Sequence, residues 1–476
     1  MNSLGLCVRF LWGLPDKCGA TFRQPPEDSD ANAAVFYPYS GSFGVANGRS
    51  FHREWLSGVS NLAKNVFICA IAYTDTILAQ MGISGSGRFP TFVQGFANQS
   101  YRVSLMPYKD MRNLSHLNIY MIMRTKTFVL GLLLAASSHA QILYHDASSF
   151  PLLGKATEAT LTRYERLPAS LEHVSRKPLW NLGRNSAGLA LRFRSNSTCI
   201  AAKWEVRNNA NMNHMTHTGS KGLDLYCLQD GKWVFAGSGR PQGKVNEAVI
   251  VKNMEPEERE YLLYPSLYDG VTSLSIGVDS LSTLDQPAVD SPVRKKPVVF
   301  YGTSILQGGC ASRPGMAHTN IMERWLNREC INLGFSGNAQ LDLEIAEVAA
   351  SVDASMFVLD FVPNATVEQM KERAEKFYSI IRAKHPDTPV LFVEDPVFTH
   401  SRFDQRIARE VKAKNETIAS IFQSLKKKGE KNIYFLPSKD MIGHDGEATV
   451  DGIHFTDLGF MRYAEILYPL LKKHIR

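Results

Sequence analysis

The sequence predicts an antiparallel β-sandwich followed by a three-layer α/β domain, on three observations. Residues 141–285 contain many short apolar or alternating segments separated by turn residues, which is typical of a sandwich. Across residues 297–476, candidate strands alternate with candidate helices, which favours parallel βαβ units. The chain of 476 residues also exceeds one ordinary domain. We therefore expect two domains, with the proline-containing segment 286–296 as their linker.

Short segments of apolar or alternating character define the strands of the first domain. Asp230 and Gly231 lie between two of them, and an Asp-Gly pair in that position predicts a hairpin. The expected strands cover residues 189–193, 198–206, 223–228, 233–236, 248–251, 260–264 and 271–276.

The second domain is predicted from a regular succession of apolar strands and longer helices. Because ligands of such α/β sheets bind beyond the carboxyl ends of the strands, candidate functional residues are expected there. The expected strands cover residues 298–301, 330–333, 356–359, 390–393 and 433–436, and the expected helices cover residues 317–327, 367–384, 403–428 and 456–472.

A segment in the middle of the chain, residues 121–140, has the features of a secretory signal peptide. Residues 123–126 form a short basic start, residues 128–136 form an apolar run, and residues 138–140 supply small residues for cleavage before Gln141. The apolar run is too short to span a bilayer. A short buried helix is the alternative interpretation.

The preceding residues, 1–120, show weak periodicity and no recognisable chemistry. We interpret them as a non-native or disordered extension, with translation starting at Met121 or Met123; a small, poorly packed extension is the alternative. The signal peptide would make the protein secreted or periplasmic, and the mature chain is expected to have no membrane span.

Composition and charge narrow the classes of function. A formal net charge of +7 is small for this length, and no dense basic block occurs beyond residues 426–428, so nucleic acid is not an expected partner. Seven cysteines occur without a CxxC pair, so no metal site is expected. Cys310 and Cys330 would be able to pair in an oxidising compartment, but two buried thiols are the expectation.

A serine with a base within reach is the first candidate for chemistry. Ser304 follows the first strand of the α/β domain, and Gly302 permits a tight turn there. A serine hydroxyl needs a base to take its proton, and His454, just before the final helix, is the candidate. Asp451, three residues earlier, would orient the imidazole and stabilise its charged form. Taken singly, a helix-capping serine and a surface Asp–His pair are ordinary alternatives.

Donors for an oxyanion hole are expected on two other strand exits. The Gly334 N–H and the Asn364 side-chain amide would join the Ser304 N–H in binding the oxyanion of a tetrahedral intermediate. A turn glycine and a turn asparagine are the ordinary alternatives. The coincidence of these residues with His454, all at loops of one sheet, is more specific than any one of them.

Ser304, Gly334, Asn364 and His454 resemble, in order, the four residues that characterise the SGNH (GDSL-like) hydrolases. Residues 302–305 (GTSI) stand where the family usually has Gly-Asp-Ser-Leu, with threonine replacing aspartate.

Longer strings resemble one branch of that family. They are GTSILQGGCASRPGMA (302–317), DFVPN (360–364), DGIHFTDLG (451–459) and the Gly-x-Asp-Leu-Tyr string at 222–226. In this branch a β-sandwich precedes the catalytic domain. The resemblance implies a flavodoxin-like sheet and esterase activity, and relatives with an accessory sandwich often remove acetyl groups from carbohydrates.

Weaker candidates surround this set. Arg313, in the loop after the nucleophile, is a candidate substrate contact or a structural ion pair. Asp360 is a candidate for orienting Asn364, and Glu394 and Asp395, at the end of the fourth strand, are candidates for the border of the site.

His444 and Asp445 form a possible rival acid–base pair, with a solvated turn as the alternative.

The sequence thus predicts a serine esterase without a cofactor, acting through an acyl-enzyme on short acyl groups of a carbohydrate or another small ester. A thioesterase or lysophospholipase on the same scaffold is the first alternative. A catalytically inactive carbohydrate-binding protein is the second. Nothing in the sequence indicates the oligomeric state.

Overall fold

The computed structural model describes residues 141–475; the expected signal peptide and residues 1–120 lie outside this part of the chain. Ala140–Arg476 form one compact unit. Within the described residues, two antiparallel sheets precede a five-stranded parallel sheet with helices on both faces. The predicted fold class is confirmed.

The sandwich consists of a four-stranded sheet, in the order β1-β9-β4-β7, and a five-stranded sheet, in the order β2-β3-β8-β5-β6. Phe193, Trp204 and Tyr261 are among the buried side chains of its core. Asp230 and Gly231 both have positive φ angles, 50° and 73°, and join β5 to β6 as the predicted hairpin. The strands are β1 (Ile142–Asp146), β2 (Leu152–Leu153), β3 (Ala190–Ser195), β4 (Ile200–Val206), β5 (Leu223–Gln229), β6 (Lys232–Gly239), β7 (Val245–Val251), β8 (Arg259–Tyr264) and β9 (Val271–Asp279), with helices α1 (Lys177–Gly183) and α2 (His217–Ser220) in the connections.

The parallel sheet has the order β11-β10-β12-β13-β14, which is the 2-1-3-4-5 order of flavodoxin-like folds. Its strands are β10 (Val293–Gly302), β11 (Arg328–Gly334), β12 (Met356–Asp360), β13 (Val390–Val393) and β14 (Ile433–Leu436). Its helices are α3 (Ser304–Gln307), α4 (His318–Leu326), α5 (Leu343–Ala350), α6 (Val367–Lys384), α7 (Gln405–Lys427) and α8 (Asp457–His474).

The central strand β10 shows how the sequence builds both faces of this domain. Val299 and Tyr301 belong to the core cluster on one face, whereas Val298 and Phe300 belong to the cluster on the other. Successive side chains of a strand point to opposite faces, so a continuous apolar run is needed where both faces are covered. The strand is therefore covered on both faces, and its last residue, Gly302, lies at the carboxyl edge of the sheet.

Some boundaries differ from the sequence expectations. Strand β10 begins at Val293, inside the segment 286–296 expected as a linker, because Val293 pairs with Arg328 of β11. Strands β1 and β2 and helix α5 were not among the expected elements. Among the described residues, no helix is both long and apolar enough to cross a membrane.

Candidate active site

Ser304 is held at the carboxyl edge of the parallel sheet, as the first residue of α3 directly after β10. Thr303 caps this short helix, and its hydroxyl accepts a hydrogen bond from the Ile305 N–H. Gly302 pairs with Asp360 on the neighbouring strand, and a Cβ at this position would lie 2.4 Å from the Asp360 carbonyl oxygen. Only glycine therefore permits the close strand approach that places the serine.

His454 and Asp451 lie on the loop before α8 and form a continuous chain of hydrogen bonds to Ser304. The distance is 2.9 Å between Ser304 Oγ and His454 Nε2, and 2.7 Å between His454 Nδ1 and Asp451 Oδ2. Asp451 Oδ1 also accepts hydrogen bonds from the backbone N–H groups of Ile453 and His454. Burial alone would raise the pKa of Asp451, but the hydrogen bonds from His454 and Ile453 outweigh it and hold the pKa at about 2. The carboxylate thus stays charged beside the imidazole.

Asn364 is held through its side-chain oxygen. Its Oδ1 accepts a hydrogen bond from the Ala339 N–H at 3.4 Å, which leaves Nδ2 as the free end of the side chain. Asn364 lines the same pocket as Ser304 and His454. The amide is therefore available as a donor to a developing negative charge.

The expected backbone donor Gly334 is engaged elsewhere. Its N–H donates to Asn332 Oδ1 at 2.9 Å, and the residue is buried against Gln307. Gly337 lines the pocket instead, with a φ of 66° and, within residues 141–475, no acceptor on its N–H. The backbone N–H that is available to a ligand in the pocket is therefore that of Gly337, and the N–H of Gly334 is not. The Ser-Gly pair at residues 336–337, which lies in the loop after β11, is the sequence signal that would have indicated Gly337.

A pocket of about 430 Å³ opens over Ser304. One face of α7, at successive helical turns, forms its far wall, and the loop before α8 and the strand exits form the rest. The lining residues are Ser304, Ile305, Ser336, Gly337, Pro363, Asn364, Asp395, Phe398, Arg406, Ile407, Glu410, Val411, Lys414, Ile453 and His454.

Arg313, considered as a substrate contact, forms an ion pair and does not line this pocket. Its Nη1 donates to Asp224 Oδ2 at 2.6 Å and to the Tyr226 hydroxyl at 2.7 Å. Asp224 Oδ2 also accepts a hydrogen bond from the Gly315 N–H. The Asp and Tyr of the Gly-x-Asp-Leu-Tyr string therefore hold the loop that follows Ser304 and α3.

Asp360 and Glu394 also have partners other than those expected. Asp360 accepts a hydrogen bond from the Tyr463 hydroxyl at 2.8 Å, with no bond to Asn364 in the described part of the chain. Burial raises the pKa of Asp360 to about 7. Glu394 accepts a hydrogen bond from the Ser438 N–H and lies in a neighbouring depression.

The rival pair His444 and Asp445 is not joined in the structure. His444 Nε2 contacts Asp440 Oδ1 at 2.6 Å, whereas Asp445 forms two hydrogen bonds with Arg462. Both are exposed or partly exposed surface groups. The structure brings neither of them to Ser304.

The sandwich contributes two side chains to the site that sequence reasoning missed. The Tyr268 hydroxyl donates to the Ser304 carbonyl oxygen at 3.1 Å. The His214 ring lies with its centroid 5.4 Å from that of His454. No local sequence pattern marks either residue, because both meet the site only through the packing of the two domains.

One group of side chains near the triad has the composition of a metal site. Ligand atoms of His214, Cys310 and His454 lie within 4.8 Å of one another. Burial, followed by the charge of Asp451, raises the pKa of Cys310 to about 12, so the free thiol is protonated. Cys310 and Cys330 are free, buried thiols.

Comparisons with known proteins agree with this architecture. The family model for GDSL-like lipases and acylhydrolases matches residues 295–472, and the model for the GxDLY N-terminus of SGNH-type esterases matches residues 142–284. A crystal structure described as a GDSL-like lipase from Bacteroides ovatus is 40% identical, with a TM-score of 0.68, and covers 71% of this chain and 99% of its own. A search of curated proteins finds no match.

A more distant structure shows the same fold. The salicylyl-acyltransferase SsfX3 from a tetracycline biosynthetic pathway is 16% identical, with a TM-score of 0.58, and covers 71% of this chain and 100% of its own.

The fold and the family matches define the class of protein as a carboxylic ester hydrolase. Within that class, the chain belongs to the GDSL-like lipase/acylhydrolase family of SGNH esterases, with the GxDLY N-terminal domain that its sequence resembles.

Proposed function

We propose that Ser304, His454 and Asp451 form the catalytic triad of an esterase that removes short acyl groups, foremost acetyl, from carbohydrate. One observation carries the proposal: the hydrogen-bond chain from Asp451 through His454 to Ser304 ends at the floor of an open pocket. This is the arrangement that activates a serine hydroxyl for attack on an ester carbonyl.

The reaction proceeds in two halves. Ser304 Oγ attacks the carbonyl carbon while His454 Nε2 takes the hydroxyl proton, and Asp451 stabilises the imidazolium. His454 then returns the proton to the departing alcohol, which leaves an acyl-enzyme. In the second half, His454 takes a proton from water, the water oxygen attacks the acyl carbon, and Ser304 regains its proton as the acid leaves.

Negative charge on the carbonyl oxygen is stabilised by three donors in this proposal. They are the backbone N–H groups of Ser304 and Gly337 and the Nδ2 group of Asn364, all of which line the pocket. Donors fixed before the reaction stabilise the transition state without the cost of reorganising solvent.

The lining of the pocket supports a short acyl group and a polar alcohol. Arg406, Glu410 and Lys414 extend from α7 along its wall, where a long alkyl chain would have to displace water from charged groups. Such a wall suits the hydroxyl-rich surface of a sugar.

A panel of esters tests the proposal. We expect turnover of p-nitrophenyl acetate and of an acetylated xylo-oligosaccharide, with rates falling steeply as the acyl chain lengthens. Ser304→Ala should lose turnover by several orders of magnitude, whereas Ser273→Ala, at an exposed position on β9, should match the wild type. A preference for long-chain lysophospholipids or acyl thioesters would select the alternative hydrolases, and inactivity on the whole panel would leave only a carbohydrate-binding role.

We also propose that residues 121–140 direct export of the protein. The support is the order of basic, apolar and small residues in the sequence. Expression from Met123 in a Gram-negative host should yield periplasmic esterase that begins at Gln141. Leu133→Arg, which interrupts the apolar run, should retain the protein in the cytoplasm. Cytoplasmic accumulation of both forms would refute the proposal.

A further inference from the structure

Asp395 combines deep burial with an incomplete set of hydrogen bonds. It follows β13 at the carboxyl edge of the sheet, is 2% exposed, and lines the pocket over Ser304. Its Oδ1 has no hydrogen-bond partner among the described residues. A buried polar atom without a partner destabilises the folded protein, so its presence in the lining of this pocket calls for an explanation.

The backbone of Asp395, by contrast, is held firmly. Its N–H donates to Asn415 Oδ1 at 2.8 Å, and Asn415 Nδ2 donates to the Asp395 carbonyl oxygen at 2.9 Å. The two bonds fix the position of the residue without using its carboxyl group. The surrounding protein therefore fixes the backbone of Asp395 and leaves Oδ1 of its side chain without a partner among the described residues.

The neighbouring charges leave the carboxyl group uncompensated. Lys414, whose charge acts on Asp395, donates to the Pro363 carbonyl oxygen at 3.0 Å and pairs with Glu410 at 2.8 Å. Burial raises the pKa of Asp395 to about 8; Lys414 opposes this shift, whereas Asp360 and Glu410 add to it. The raised pKa favours the protonated acid, which both donates and accepts hydrogen bonds.

We propose that Asp395 determines substrate specificity by binding a free hydroxyl group of the alcohol part of the ester. The inference rests on the proposed function, because a short acyl group carries no hydroxyl and the bound hydroxyl therefore belongs to the sugar. A hydroxyl supplies both a donor and an acceptor to the unpartnered carboxyl group. The substrate class that fits is an ester of a polyhydroxylated alcohol with at least one hydroxyl left unacylated.

Two substrates distinguish hydroxyl binding by Asp395 from the chemistry of ester cleavage. A monoacetylated methyl xyloside retains free hydroxyls, whereas the alcohol part of p-nitrophenyl acetate has none besides the esterified oxygen. For Asp395→Ala we expect kcat/KM on the xyloside to fall about 10- to 100-fold, with p-nitrophenyl acetate changed less than about twofold. Asp395→Asn, which keeps a donor and an acceptor, should recover most of the loss. Glu394→Gln, at the adjacent residue outside the pocket, is the matched control and should leave both substrates unchanged.

Thermal melting of the same variants distinguishes ligand binding from structural support. Removing an unpartnered buried group should leave the melting temperature of Asp395→Ala equal to or above that of the wild type. An equal fall on both substrates, or a marked fall in melting temperature, would show a structural role and overturn the inference. Unchanged kcat/KM on the xyloside would overturn it as well.

Failure of the proposed function gives a different result. In that case the wild type would turn over neither substrate, and Ser304→Ala would change nothing. Binding of methyl xyloside to the Ser304→Ala protein, followed by NMR titration, tests Asp395 without turnover. We expect Asp395→Ala in that background to weaken binding about tenfold or more, and equal affinity would refute the assignment.

Discussion

Asp224 of the sandwich and Arg313 of the catalytic domain form an ion pair, with 2.6 Å between Oδ2 and Nη1. The Asp224 side chain is completely buried, and it also accepts hydrogen bonds from the Ser238 hydroxyl and the Gly315 N–H. Both oxygens of the carboxylate thus have a defined partner. The central residue of the Gly-x-Asp-Leu-Tyr string therefore fixes the loop after the nucleophile rather than contacting substrate.

Removing either member of this pair should destabilise the protein strongly. Asp224→Ala leaves Arg313 without its partner, and we expect a loss of about 3 kcal/mol in the free energy of unfolding. The double variant should lose less than the sum of the two single variants, because neither charge is then unpaired. Urea unfolding of the four proteins measures the coupling. Glu347→Ala, which breaks the exposed pair with Lys384, should cost less than about 1 kcal/mol; strict additivity at Asp224 and Arg313 would contradict the predicted coupling.

Asp451→Asn should abolish most activity while leaving the fold intact. An amide at this position favours the wrong tautomer of His454 and cannot stabilise its charged form, so we expect kcat to fall about 10⁴-fold. Steady-state kinetics on p-nitrophenyl acetate, with circular dichroism as a check of folding, measure the effect. Near-normal turnover in a folded variant would mean that another group orients His454.

Loss of the Asn364 amide should act on kcat rather than on KM. Asn364→Ala and the isosteric Asn364→Asp both remove the Nδ2 donor, and we expect kcat to decrease about 10²- to 10³-fold. A control at an exposed position of α1, Asn181→Ala, should retain wild-type kinetics. An increase in KM alone would indicate ground-state binding and argue against a role in the oxyanion hole.

His318 should make the protein sensitive to acid. The side chain is buried between aromatic rings with both nitrogens unpartnered, and burial lowers its pKa from 6.5 to about 3. Between these values the unfolded chain binds a proton that the folded protein cannot, so stability falls as the pH falls through this window. At pH 4 the loss amounts to roughly 3 kcal/mol.

A variant without the imidazole tests this explanation. His318→Leu should lose less stability than the wild type between pH 7 and pH 4, as measured by urea unfolding at each pH. Parallel pH profiles for the two proteins would show that His318 does not contribute.

Local patterns allowed much of the fold to be predicted. Helix α6 was predicted with its observed ends, Val367 and Lys384, and in the structure a capping box at Thr366 and Gln369 marks its start. Strand β1 was missed because it lies at a sheet edge and is largely exposed, so its sequence lacks a clear alternation. An exposed edge strand thus leaves a weak pattern in the sequence, and β2, with two buried residues, is too short to leave one.

Some residues of the candidate site could be predicted from the sequence, and others could not. Asp451 and His454 share one loop, so their relationship could be inferred from spacing alone. The choice between Gly334 and Gly337 depends on which backbone N–H is already bonded, and only Asn332 Oδ1 decides that. The sequence does not report the direction of that hydrogen bond, although the Ser-Gly pair at residues 336–337 marks the loop that carries Gly337.

The contact of Tyr268 with Ser304 and the position of His214 beside His454 have a practical consequence for engineering. The amino-terminal sandwich contacts Ser304 and lies beside His454, so exchanging it for the equivalent domain of another esterase would alter the surroundings of both residues. A mutant library restricted to residues 297–476 would leave two of the side chains nearest the triad unvaried. Selection for new substrates should therefore randomise the loop at residues 208–216 together with α7.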